Sequence, residues 1–201
     1  MSLFCCPLCG AALRRDERSY RCAAGHCFDI AKEGYTYLLP VNRRHSKSPG
    51  DDKAMTAARS AFLARGYYGF LQQALCELAV SCAGEKPAVL DVGCGEGYYT
   101  AALCQALAAA GKEPLVAGID ISKDMARRAA KKVPQAEIAE AASGAQALEL
   151  LENQTFDMLF IDVHLGDMEG TTVAALARRL MPGAKIVFAT AYSEYAVRAF
   201  E

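Results

Sequence analysis

Four residues near the start of the chain, Cys6, Cys9, Cys22 and His26, have the types and spacing of a tetrahedral metal site. Cys-x2-Cys makes a turn that presents two thiolates, and Cys-x3-His, twelve residues further on, supplies two more donors, which points to structural Zn2+. So short a segment buries too little apolar surface to fold alone, and coordination would supply much of its folding free energy. Disulfides are the competing reading. No charged, apolar and cleavage-site leader precedes the cysteines, however, and nine cysteines then fit a reducing cytoplasm, the expected location. Cys5 and Cys27 adjoin the ligands and are candidate substitutes within the set.

A second group suits a nucleotide-like ligand. In Asp91-Val-Gly-Cys-Gly-Glu-Gly97, Gly93, Gly95 and Gly97 let the backbone approach a ligand closely while the chain swings from strand to helix, with Asp91 and Glu96 beside them. Asp120 ends the next apolar strand, 23 residues past Gly97, where a carboxylate can accept hydrogen bonds from ribose hydroxyls. NAD and S-adenosylmethionine sites share this arrangement. A tight turn with no ligand is the alternative.

These residues need a scaffold, and the hydrophobic pattern supplies one. Apolar stretches at 88–92, 115–119, 137–141, 158–163 and 185–189 read as strands, and amphipathic segments at 98–110, 122–132, 143–153 and 170–181 as helices between them. This alternation predicts an α/β fold with a parallel sheet covered on both faces. Upstream, Met55, Ala58 and Phe62, then Phe70, Leu71, Leu75 and Leu78 after Gly66, recur at three and four residues and predict a helical segment over 53–82. Phe62, Tyr67, Tyr68 and Phe70 are able to stack on a base, although aromatics at this spacing are usually core. The expected division is a zinc-binding module at 1–40, a linker and helical segment at 41–83, and a Rossmann-like domain at 84–201.

Charge is uneven along the chain. Residues 1–50 hold eight Lys/Arg against four Asp/Glu, whereas residues 137–201 hold four against ten. The basic front, with Arg14, Arg15, Arg18, Arg21, Arg43, Arg44 and Lys47, suits a polyanion or is an ordinary solvated surface. No apolar run is long enough to span a membrane.

Beyond these local patterns, Cys6-Pro-Leu-Cys9, Phe28-Asp-Ile-Ala-Lys-Glu-Gly-Tyr35, Gly66-Tyr-Tyr68 and Leu90-Asp-Val-Gly-Cys-Gly-Glu-Gly-Tyr-Tyr-Thr100 closely resemble the zinc-finger-bearing 23S rRNA guanine-N1 methyltransferases over residues 1–135. The resemblance implies Cys6, Cys9, Cys22 and His26 as zinc ligands. It also implies Tyr68, Gly95 and Glu96 as S-adenosylmethionine contacts and a guanine in a 23S ribosomal RNA hairpin as substrate. Self-association into a homodimer is compatible with it.

Past residue 134 the likeness changes. Phe156-Asp-Met-Leu-Phe-Ile-Asp162-Val-His-Leu-Gly-Asp-Met-Glu-Gly170 and Ile186-Val-Phe-Ala-Thr190 resemble a response-regulator receiver domain, with Asp162 matching its phosphoacceptor and Thr190 its hydroxyl residue. The chain reads as a hybrid whose receiver-like half is 136–201. A receiver sheet has order 2-1-3-4-5 and a methyltransferase sheet contains 3-2-1-4-5; setting strand 88–92 between the receiver-like first and third strands converts one into the other. A doubly wound parallel Rossmann-like sheet of order 3-2-1-4-5, with a small N-terminal zinc module, is therefore expected. Phosphotransfer at Asp162 is the alternative function, but Asp120 is followed by Ile121 and Ser122, so a Mg2+ site would lack its second acid. A non-catalytic zinc-dependent RNA-binding protein is a third reading. For methyl transfer, the base is unassigned between Asp162 and Asp167, and His164, a lone loop histidine, reads as structural.

Overall fold

The computed structural model describes residues 2–39 and 53–188, apart from the side chains of Lys53 and Ser143. Its centre is β5 (Ala88–Val92), an apolar run that only a strand buried on both faces can accommodate. It pairs in parallel with β6 (Leu115–Asp120) on one side and β8 (Met158–Ile161) on the other, setting Leu90 beside Ala117 and Leu159. β7 (Glu137–Glu140) extends the sheet beyond β6, and β9 (Lys185–Phe188) beyond β8. The run β7-β6-β5-β8-β9 is the expected 3-2-1-4-5 order.

A sixth strand joins the five that the hydrophobic pattern predicts. β4 (Tyr35–Tyr37), from the cysteine-rich segment, pairs in parallel with β7, placing Tyr35 opposite Ile138. Three residues are too few to show a periodicity, and the partner lies a hundred positions away, so nothing local marks this pairing. The rest of that segment forms a small antiparallel sheet of β1 (Arg14–Arg15), β2 (Ser19–Arg21) and β3 (Cys27–Asp29).

Alternation along the strands assigns the two faces of the large sheet. Val89, Val116, Met158 and Phe160 meet Leu75 and Ala79 of α2 (Gly69–Cys82) and Leu103, Cys104 and Leu107 of α3 (Tyr98–Ala109). On the same side α4 (Lys123–Lys132) buries Met125, Ala126, Ala129 and Ala130, an i, i+1, i+4, i+5 stripe. The opposite face, with Leu90, Ala117, Ile119, Leu159 and Ile161, is covered by α5 (Ser143–Asn153) and α6 (Gly170–Leu180) together with Phe4, Leu13 and Tyr20 of the N-terminal segment. Glu137 ties that segment down further, its Oε2 accepting the Ser2 hydroxyl at 2.7 Å and the Leu3 N–H at 2.8 Å.

The helices before β5 turn a mixed face inward. α1 (Lys53–Ala64) and α2 form as the helical spacing predicts and are separated at Gly66, whose φ of +75° suits the break. Of the residues at that spacing Leu75 is buried, whereas Met55, Phe62, Phe70 and Leu78 are exposed; Thr56, Leu63 and Ala79 are buried beside it. α1 lies over a crevice at the carboxyl end of the sheet, walled by Asp91, Glu96 and Asp162 as well as by apolar side chains, so the side it turns inward is not its most hydrophobic one.

Phe4 and Leu13 are fully buried in the cluster that covers the sheet, a burial worth about 1.5–3 kcal/mol for each side chain. Stripping metal from the four-ligand set should therefore destabilise the sheet together with the module. Thermal unfolding followed by circular dichroism should show one transition displaced downward by more than about 10 °C on chelation, since a loss of several kcal/mol moves a chain of this size about 2–4 °C per kcal/mol. A separate early transition, with the main one unmoved, would refute a shared core.

Candidate functional site

The metal-ligating set forms on two turns. The carbonyl of Cys6 accepts the Cys9 and Gly10 N–H groups at 3.3 and 2.8 Å, and the carbonyl of Cys22 accepts the Gly25 N–H at 3.0 Å. These turns bring the Cys6, Cys9, Cys22 and His26 donor atoms within 4.8 Å of one another. Cys9 Sγ and Cys22 Sγ lie 3.8 Å apart, and His26 Nδ1 lies 3.4 Å from both Cys6 Sγ and Cys22 Sγ. Those separations are the edges of a coordination tetrahedron: Zn–S near 2.3 Å and Zn–N near 2.0–2.1 Å give S···S of about 3.8 Å and S···N of about 3.5 Å. The donors thus fit Zn2+ through His26 Nδ1. Cys5 faces elsewhere, 3.8 Å from the Gln146 amide, with burial and the Glu149 charge pushing its thiol up to about 12; Cys27 is exposed.

At the carboxyl end of the sheet, β5 enters the glycine turn. Gly93 and Cys94 donate their N–H groups to the Ile119 carbonyl at 2.9 and 3.1 Å, and Gly95 N–H donates to Asp120 Oδ2 at 2.8 Å. The second and third glycines serve different ends. At Gly97, with φ +76°, a Cβ would sit 3.1 Å from the Ala129 Cα, so its absence permits α4 to pack against the turn. At Gly95 a Cβ would meet nothing within 4 Å; the bare backbone faces open space that a ligand can fill.

That space is a crevice walled by Asp91, Gly93, Gly95, Glu96, Tyr98, Phe160 and Asp162, with Thr56, Arg59, Ser60 and Leu63 of α1 across the opening. The α1 residues are absent from the sequence-derived set. Their i, i+3, i+4, i+7 spacing marks a helical face, but a mostly polar one, which hydrophobic periodicity overlooks.

Asp91 accepts the Thr100 hydroxyl at 2.6 Å, and burial pushes its carboxyl up to about 7, assisted by the Asp120 and Asp162 charges. Asp120 sits beneath the turn, where burial raises it to about 6 although the Ser122 and Gly95 N–H groups oppose the shift. Asp162 follows β8 into the crevice; burial raises it against the His164 N–H, 3.3 Å away, and the Arg59 charge. Three acids thus share one poorly solvated space, each holding its proton more tightly than usual.

Other candidates are committed elsewhere. Glu96 lines the crevice, but its carboxylate bonds the Ser60 hydroxyl and, at 2.6 Å, the Lys132 ammonium; burial would raise it, yet these partners hold it below its ordinary value. Tyr68 precedes α2 outside the crevice lining and meets the Phe62 ring edge-on at 5.5 Å. Asp167 accepts the Gly144 and Ala145 N–H groups, both at 2.9 Å, and so caps α5 rather than facing the crevice. His164 is exposed, and Thr190 lies outside the described residues.

The Asp91 carboxyl binds its proton more tightly folded than unfolded, so its contribution to stability is lost as pH rises from about 4 through about 7. Asp91→Asn, which keeps an acceptor for Thr100, should gain on the wild type by about 2–3 kcal/mol between pH 5 and pH 8, at 1.36 kcal/mol per unit. Urea titrations at the two pH values measure it; a difference independent of pH would refute the assignment.

Two family patterns match the chain: "RlmA, N-terminal", a zinc ribbon, over residues 4–47, and "Methyltransferase domain" over residues 89–194. Among curated relatives, the 23S rRNA (guanine(748)-N(1))-methyltransferase of Streptomyces fradiae is 40% identical over 133 residues, covering 65% of this chain and 45% of that protein. A putative 23S rRNA (guanine-N(1)-)-methyltransferase of Micromonospora griseorubida is 37% identical over 151 residues, covering 65% and 48%. The chain thus spans about half the length of these relatives. A different likeness, 44% over 64 residues, is to the sensory transduction protein LytT of Enterococcus faecalis, covering 32% of this chain and 26% of that one. In fold it resembles a SAM-dependent methyltransferase from Agrobacterium tumefaciens, with a TM-score of 0.51 at 15% identity over 66% of this chain and 48% of the other. With its sheet order, its glycine turn and a family match across more than half its length, the chain belongs to the methyltransferase-domain family.

Proposed function

We propose that the protein transfers a methyl group from S-adenosylmethionine to N1 of a guanine in 23S ribosomal RNA. The observation carrying this reading is the acidic crevice beside a bare glycine turn: Asp91 and Asp162 line a space open above Gly95, and Asp120 lies beneath that turn, bonded to the Gly95 N–H. A dinucleotide would bring an anionic pyrophosphate toward those acids, whereas a sulfonium cofactor brings positive charge, which they favour. The similarity to the Streptomyces and Micromonospora proteins supports the RNA substrate. Ribosomal RNA as substrate in turn places the activity in the cytoplasm; no described helix is long and apolar enough to cross a membrane.

In this reading Asp120 accepts the ribose hydroxyls with lone pairs left over from its bonds to Gly95 and Ser122. The open backbone of Gly95 lies against the cofactor, while Glu96 clamps α1 to α4 through Ser60 and Lys132 and so fixes the crevice wall. The cofactor, when bound, supplies an activated methyl. What remains for the protein is alignment of guanine N1, exclusion of water and removal of the N1 proton. Asp162 is the acceptor assigned to that proton: it faces the crevice, and its raised affinity for a proton matches the task. Asp167, already capping α5, has no part in this step.

Asp120→Ala should weaken S-adenosylhomocysteine binding by about 1.5–3 kcal/mol in calorimetry, the range for hydrogen bonds to a charged group. Equal affinities would remove Asp120 from the site. The reaction itself is read by transfer of labelled methyl to a 23S rRNA hairpin and by a reverse-transcription stop at the modified guanine; label at another atom overturns the N1 assignment.

Signalling by phosphorylation at Asp162 is disfavoured by the same geometry. Asp120 already accepts two backbone N–H groups, and Ile121 follows it, so a divalent cation would lack most of its carboxylate shell. Incubation with acetyl phosphate and Mg2+ should leave the intact mass unchanged; an adduct abolished by Asp162→Asn would restore the signalling reading.

A further inference from the structure

The rings at the α1–α2 turn are not core. Phe62 is 43% exposed, Tyr67 55% and Phe70 74%, although their spacing is that of a buried stripe. Phe62 and Tyr67 hold each other, with ring centroids 4.9 Å apart and a tilt of 39°. Three large rings at solvent around one turn form an apolar surface of the kind that marks a binding site.

Its charge narrows the partner. From residue 54 to residue 76 the chain carries Arg59 and Arg65 and no Asp or Glu, and both arginines are exposed. Its position narrows it further. Thr56, Arg59, Ser60 and Leu63, on the neighbouring side of α1, wall the acidic crevice, so whatever lies on the rings is led to its opening. Flat apolar faces combined with cations and without acids match a chain of phosphates bearing aromatic bases. A second copy of this protein would satisfy the rings but gives no reason for the excluded acids.

We propose that Phe62, Tyr67 and Phe70, with Arg65, form a stacking platform for an unpaired stretch of nucleic acid beside the crevice. The platform rests on the RNA-substrate reading and adds to it the single-stranded character of the bound segment and the surface that holds it. Bases stack on the rings in a sequence-tolerant way, the guanidinium takes a phosphate, and the strand continues past α1 to the acids.

The test uses the full chain and a fluorescein-labelled single-stranded RNA 12-mer, followed by anisotropy. A Tyr67→Ser, Phe70→Ser double variant should lose at least about tenfold in affinity, as expected when ring stacking is removed. Tyr67→Phe with Phe70→Tyr, which keeps both rings, should stay within about twofold. The slope of log affinity on log salt should be the same in all three proteins, because no cation is lost, and binding of a 12-base-pair duplex should be indifferent to the rings. Retained S-adenosylhomocysteine affinity in the double variant verifies its fold. Equal affinity of wild type and double variant for the 12-mer overturns the platform, as does a wild type that binds S-adenosylhomocysteine but no oligonucleotide. So does a wild-type dimer, seen by light scattering, that becomes monomeric in the double variant while RNA affinity holds. Ring-dependent RNA binding in a protein that fails to bind S-adenosylhomocysteine would support the platform and sink the methyltransferase reading.

Discussion

The position of β5 between β6 and β8 governs everything else in the molecule. From β5 the chain steps outward through α3, β6, α4 and β7, then crosses by α5 to β8 on the opposite side of β5. Crossovers of one hand that set out in opposite directions from a central strand must place their helices on opposite faces, so beyond the carboxyl end of that strand a gap is left. Asp91, the glycine turn and Asp162 line this gap, with Asp120 bonded beneath the turn, because each lies at the carboxyl end of one of the three central strands. The acidity of the crevice is thus a property of three strand ends held side by side by backbone pairing.

The same constraint explains how two kinds of sequence share one sheet. β8 with α6 falls in the receiver-like half, and β5, set between β6 and β8, is the strand whose position produces the methyltransferase order. Nothing in the packing resists it. Leu90 and Val92 meet the same cluster as Ala117, Ile119, Leu159 and Ile161, and Gly118 leaves room for the Ile138 side chain, which a Cβ there would meet at 2.9 Å.

Much of this was legible in the sequence, and its limits are physical. The five central strands appear as mostly apolar runs, because a strand buried on both faces can carry few polar side chains, and those it carries, such as Asp91 and Asp120, gather toward its carboxyl end. The metal set is equally local, since Cys6 with Cys9 and Cys22 with His26 are each closed by a single turn. What escaped depends on distant partners. β4 is three residues paired to a strand a hundred positions later. Likewise α1, read by its hydrophobic side, turns Thr56, Arg59 and Ser60 toward the crevice because the surface opposite it is acidic. Asp167 reads from the sequence as an available base, but the N-terminus of α5 engages both of its oxygens.

The anchoring of the N-terminal segment has a consequence for reach. Residues 2–39 are held at three places: β4 hydrogen-bonds along β7, Glu137 grips Ser2 and Leu3, and Phe4 and Leu13 sink into the cluster beneath the large sheet. A module fastened in this way cannot swing like an arm on a tether to search for a partner. Any surface it offers stands at a fixed offset and angle from the crevice, so the span between the two is set by backbone pairing and packing and not by the length of a linker.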